Sequence, residues 1–125
     1  MMIYRRDEAF RYEFGTPLDC KFSIIQINDK PYNSKQGAGK IHDISPRGLK
    51  IKAPLDLNAK QNEVKIEIHF ELMKRDFSIE GTVLWQEKFI DTFIYGIELD
   101  IFDDTQELLI RQIKLHASAS IDGAK

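Results

Sequence analysis

Cysteine is nearly absent from this chain of 125 residues. Cys20 alone cannot form an internal disulfide or a cysteine-based zinc site, and it suits a reducing compartment. Its place in an alternating pattern marks it as a small core residue. Histidine is sparse too: His42, His69 and His116 lie in different segments without the spacing of a metal-ligand set. Nor does one sign of charge prevail. The 18 Lys and Arg stand against 20 Asp and Glu, a net charge of −2, which argues against a general polyanion binder, DNA and RNA included. Any site for a phosphate-bearing ligand must then be a local cluster of cations. No apolar run approaches the ~18 residues of a membrane span, and no apolar h-region opens the chain. A soluble, cytoplasmic domain without membrane insertion is expected. Gly-x-Ser-x-Gly, a P-loop and a paired-histidine helix motif are all missing. Gly37-Ala38-Gly39-Lys40 lacks the run a phosphate loop needs and reads as easing a strand start. No enzyme, metal or cofactor is expected.

What the chain has is strand periodicity. Val64, Ile66, Ile68, Phe70 and Leu72 alternate with Lys65, Glu67, His69 and Glu71, a period of two. Phe77, Ile79, Val83 and Trp85 repeat it, as do Phe93, Tyr95, Ile97 and Leu99, and upstream Leu18, Cys20, Phe22 and Ile24. Each strand buries one face and wets the other, which favours antiparallel pairing. Trp85 and the tyrosines read as core or barrel-mouth residues. The breaks carry turn chemistry or charge: Asn28 to Pro31, Ser45 to Gly48, Met73 to Asp76 and Glu87 to Asp91. About six strands with short connections and no helical crossovers predict a single all-β domain, a closed or nearly closed antiparallel barrel.

The last segment changes period. Asp104 opens a capping box with Thr105-Gln106-Glu107, and Leu109, Ile110, Ile113 and Ala117 fall on one helical face opposite Arg111 and Lys114. This predicts one C-terminal helix over about 104–117, its apolar stripe covering the barrel mouth or a partner chain. The domain plan is an N-terminal arm over 1–12, the barrel and helix over 13–117, and a fraying tail over 118–125.

Two short motifs carry the functional signal. Arg5, Arg6 and Arg11 populate the arm, and Asp43-Ile44-Ser45-Pro46-Arg47-Gly48 links two strands. Pro46 fixes its own φ, and Gly48 is expected to supply a backbone conformation closed to other residues. Together these motifs resemble the signature of PilZ domains, small bacterial β-barrels that bind cyclic di-GMP. Gly81-Thr82-Val83-Leu84-Trp85 and Tyr95-Gly96-Ile97 are similar to later strands of that family, and a terminal helix follows in the same order.

The resemblance implies a six-stranded antiparallel barrel with one C-terminal helix, acting as a non-enzymatic receptor for cyclic di-GMP. The implied ligand set is Arg5, Arg6, Arg11, Asp43, Ser45, Arg47 and Gly48. Arginine forks can bond guanine O6 and N7 or pair with phosphate. Asp43, acceptor-only when ionised, can receive the guanine N1–H and N2 amine, and Ser45 can donate to a phosphate or base. The arm would close over the ligand, and a downstream protein partner would read the altered surface of a monomer or homodimer. Motility, adhesion or biofilm formation are the family's usual outputs. One departure stands out: the family separates its paired arginines by three residues, whereas four separate Arg6 from Arg11. Family spacing from Arg11 lands on Asp7, whose carboxylate repels phosphate, and a one-residue shift in extended chain turns a side chain to the opposite face. A bulge or an irregular arm would restore Arg6. Without it the domain would be degenerate, a protein–protein interaction module that has lost the dinucleotide.

Overall fold

The computed structural model describes residues 11–123, and of 120–123 the backbone alone. Arg5 and Arg6 therefore lie outside the described residues. Seven strands form one sheet: β1 (Tyr12–Ile27), β2 (Lys30–Pro31), β3 (Gly37–Ser45), β4 (Gly48–Ala53), β5 (Val64–Leu72), β6 (Arg75–Phe89) and β7 (Thr92–Asp100), followed by α1 (Asp103–Gly123). Their spatial order is β2-β1-β3-β4-β7-β6-β5, and β1 also pairs with β5. That last pairing closes six strands into an antiparallel barrel, with the two-residue β2 as an addition beside β1. Closure leaves no long exposed edge on the six.

The alternating residues point where the periodicity placed them. Val64, Ile66, Ile68, Phe70 and Leu72 of β5 face inward with Phe22, Ile41, Ile51, Phe77, Ile79, Tyr95 and Ile97 in one core. Cys20 is buried there, and burial pushes its thiol up to about 12. Gly37 and Gly39 of β3 have a packing role: the Phe22 ring lies close enough that a Cβ at either would sit 3.2–3.3 Å from its carbons. The turn chemistry also holds. Asn28 and Asp29, and again Met73 and Lys74, have positive φ, as tight hairpins with right-handed strand twist require.

Each end of the barrel is closed differently. At the Phe22 end, Leu57 is buried from the β4–β5 loop. Its backbone N–H donates to the Tyr95 hydroxyl at 2.9 Å, and Gln86 accepts from the Ala59 N–H at 2.8 Å. At the opposite end α1 buries Leu109, Gln112 and Ile113, so the apolar stripe covers the barrel itself.

Two expectations for the helix need correction. It begins a residue early, where the Phe102 carbonyl accepts from the Gln106 N–H at 2.8 Å; Asp103 and Asp104 thus occupy the first turn, where a carboxylate favours the positive end of the helix. It also continues through Ser118 to Gly123, because Ser-Ala-Ser-Ile-Asp contains neither a proline nor a glycine to end it. Among the described residues no helix is long and apolar enough to cross a membrane.

Candidate nucleotide site

The β3–β4 turn sits at the α1 end of the barrel and is tied from two sides. The Leu99 N–H of β7 donates to the Arg47 carbonyl at 2.8 Å, and Gln106 Nε2 of α1 donates to the Pro46 carbonyl at 2.9 Å. Gly48 has no positive φ, which overturns the conformational reason given for it. Glycine is needed for space instead: a Cβ there would lie 3.1 Å from the Ile97 carbonyl oxygen across the β4–β7 pair.

Asp43 is buried, at 3% exposure, and so must be partnered. Arg11 Nη1 donates to its Oδ1 at 2.7 Å, and Lys50 Nζ lies 3.4 Å from its Oδ2. Both oxygens are engaged, so the carboxylate holds the last residue before β1 against the turn. Among the described residues, the Ser45 hydroxyl makes only a long 3.5 Å contact to the Gly48 carbonyl. His42, the unpaired residue where the β3–β4 register shifts, is held below its ordinary value of 6.5 by burial and then by Lys52 and Lys50.

Arg11 and the turn border a cleft of about 400 Å³ lined by Arg11, Ser45, Arg47, Gly48, Lys50 and Trp85, with Leu84, Glu98 and the Gly96 backbone among its other lining groups. The volume lies within the roughly 300–1,000 Å³ usual for ligand sites. Five expected residues therefore meet here: Arg11, Ser45, Arg47 and Gly48 on the wall, and Asp43 beneath Arg11.

Lys50, Trp85 and Glu98 are additions to the expected set. Trp85, read from sequence as a core or barrel-mouth residue, lies outside the core because the register slips between Val83 and Trp85. Leu84 is the extra residue, the inward phase passes from Val83 to Gln86, and the indole emerges 43% exposed. It lies over Gly96, where a Cβ would be 2.0 Å from its Nε1. The glycine in Tyr95-Gly96-Ile97 was the available signal for that close approach.

The site reaches α1 by a second route. The hydroxyl of Tyr12, the residue that follows Arg11 in the chain, is 2.8 Å from His116 Nδ1, and the Tyr12, Phe14 and His116 rings pack edge to face. The start of β1 and the turn are therefore both tied to the same helix, through His116 and Gln106.

A search of curated proteins found no match to this chain. A family model described as "PilZ domain" matches residues 6–115, from Arg6 across every strand just described and into α1 as far as residue 115, and the chain belongs to the PilZ domain family.

Proposed function

We propose that this protein is a non-enzymatic receptor for cyclic di-GMP. The observation that carries the reading is the convergence of two guanidinium groups, a lysine, a serine hydroxyl and an exposed indole face on one cleft beside the Asp43–Gly48 turn. Phosphates suit Arg11, Arg47 and Lys50, while guanine offers a planar face to Trp85 and an O6/N7 edge to an arginine fork. With Asp43 engaged by Arg11 and Lys50, Glu98 is the carboxylate on the cleft wall that can accept from a guanine N1–H and N2 amine. Asp43 acts by positioning Arg11. Arg5 and Arg6 supply the remaining clasp, and a change at Arg11 reaches a protein partner through Tyr12, His116 and α1.

Calorimetric titration with cyclic di-GMP and cyclic di-AMP tests this. Adenine replaces the O6 acceptor with an N6 donor and lacks the N1–H and N2 donors, so the guanine ligand should bind at least tenfold tighter. Equal binding removes the base-reading account. No binding of either supports the degenerate interaction module, for which the extra residue between Arg6 and Arg11 is the specific observation.

A further inference from the structure

A second concavity lies on the outer wall of the barrel, on the side of β3–β4 away from the turn. It measures about 610 Å³, larger than the nucleotide cleft, and is floored mainly by apolar atoms of Ala38, Gly39, Ala53 and Pro54. The pairings Lys21↔Ala38, Asp19↔Lys40 and Lys40↔Lys52 carry it across three neighbouring strands. The hollow follows from sequence: Gly39 turns its empty side-chain position toward Phe22 and Ile51 in the core. Ala38 leaves only a methyl where the rest of the wall carries long side chains.

The rim is cationic in a protein whose net charge is −2. Lys21, Lys40 and Lys52 surround the floor. Asp19 answers Lys40 in an exposed ion pair, while Lys21 and Lys52 have no carboxylate partner among the described residues. Lys52 Nζ sits 4.5 Å over the Phe89 ring, which joins the rim to the β6–β7 hairpin tip. There Phe89 is half exposed and Ile90 is 78% exposed. Ile90 also has φ 58°, a left-handed conformation that a β-branched side chain adopts only at a cost. Burial first, and then Lys52 and Lys50, hold His42 below its ordinary value.

We infer that this groove binds an acidic segment of a partner protein, its carboxylates on Lys21 and Lys52 and an apolar side chain on Phe89 and Ile90. Charge complementarity selects the occupant: Lys21 and Lys52, without carboxylate partners among the described residues, stand around an apolar floor and attract an anionic chain that also has something to bury. Lys50 adjoins the groove on β4 and touches Asp43, so the surface is continuous with the nucleotide site while sharing none of its cleft-lining residues.

The test uses a fluorescently labelled peptide of alternating glutamate and leucine, titrated into the full chain without dinucleotide. Amide shift changes read the location. Binding should perturb Lys21, Ala38, Lys52 and Ile90, and should weaken at least tenfold in a Lys21→Glu/Lys52→Glu variant but not in Lys65→Glu. Ala38→Trp fills the hollow and should abolish binding, with the variant's fold checked by circular dichroism. If Lys21→Glu/Lys52→Glu folds normally and binds as wild type, or the perturbed amides lie elsewhere, the inference fails. It also fails if the peptide does not bind, or if vesicles containing phosphatidylserine or a single-stranded oligonucleotide occupy the groove and the peptide does not displace them.

Discussion

A carboxylate as enclosed as Asp43 is tolerable only with cations on both oxygens, and Arg11 and Lys50 supply them. The same pairing orients the Arg11 guanidinium toward the cleft. Arg11→Ala should therefore weaken cyclic di-GMP binding by ~1.5–3 kcal/mol, roughly tenfold or more. Asp43→Asn should weaken it too by releasing Arg11, whereas Lys65→Ala, outside the cleft, should match wild type; calorimetry of the three variants decides. Trp85 is the single tryptophan, so its fluorescence reports the site alone. Ligand should change that emission, and Trp85→Ala should lose ~1–3 kcal/mol of affinity per stacked base with little change in melting temperature, the ring being half exposed already. His42 provides a pH signature. Its folded-state value lies below 6.5, so below that pH the unfolded chain takes up the proton more readily. Stability should fall as pH drops from 6.5 toward the depressed value and be fully present above 6.5. His42→Gln should flatten that part of a stability-versus-pH curve measured by urea denaturation.

At the scale of elements, strand content was legible because alternation is a direct image of a half-buried sheet. Val64 to Leu72 needed no correction. What escaped was every place where the register slips. Alternation through Val83 and Trp85 looks unbroken in sequence, yet Leu84 is inserted between paired residues, and only the partner strand reveals that. The Gly48 assignment failed similarly: a turn glycine read as a φ requirement was a contact requirement against Ile97, set by a strand far along the chain. The helix was legible by its stripe, but its junction with the turn was not, because Gln106 reaches Pro46 sixty positions away. That junction predicts separable effects. Leu109→Ala opens a cavity at a fully buried position and should cost ~2–5 kcal/mol in urea denaturation. Gln106→Ala removes one partly buried hydrogen bond, a loss of ~0.5–1.5 kcal/mol, yet should lower ligand affinity more than Leu109→Ala does at a temperature where both stay folded.

For the whole molecule, the closed barrel is a scaffold whose far end, held by Tyr95, Gln86 and Leu57, lines no part of the candidate cleft, so substitutions there should alter stability without altering binding. Fold class was readable because six alternating segments with short connections admit few topologies. The site was readable only as far as Arg11 and the turn, since Lys50, Trp85 and Glu98 converge from three strands. What remains decisive is the extra residue between Arg6 and Arg11. Arg11 is fixed by Asp43, so any adjustment of register must occur before it. Deleting Asp7 restores the three-residue spacing and removes a carboxylate from the phosphates' neighbourhood; Asp7→Asn removes the charge alone. If Arg6 completes the clasp, the deletion should bind cyclic di-GMP at least as tightly as wild type. Asp7→Asn should gain modestly, and more at low salt than at high. Ligand binding to the folded barrel raises its stability by about 2.7 kcal/mol at a hundred times Kd, so thermal denaturation at fixed ligand ranks the three proteins on one scale. A deletion variant that melts like wild type without ligand but gains nothing from it would place Arg6 outside the site.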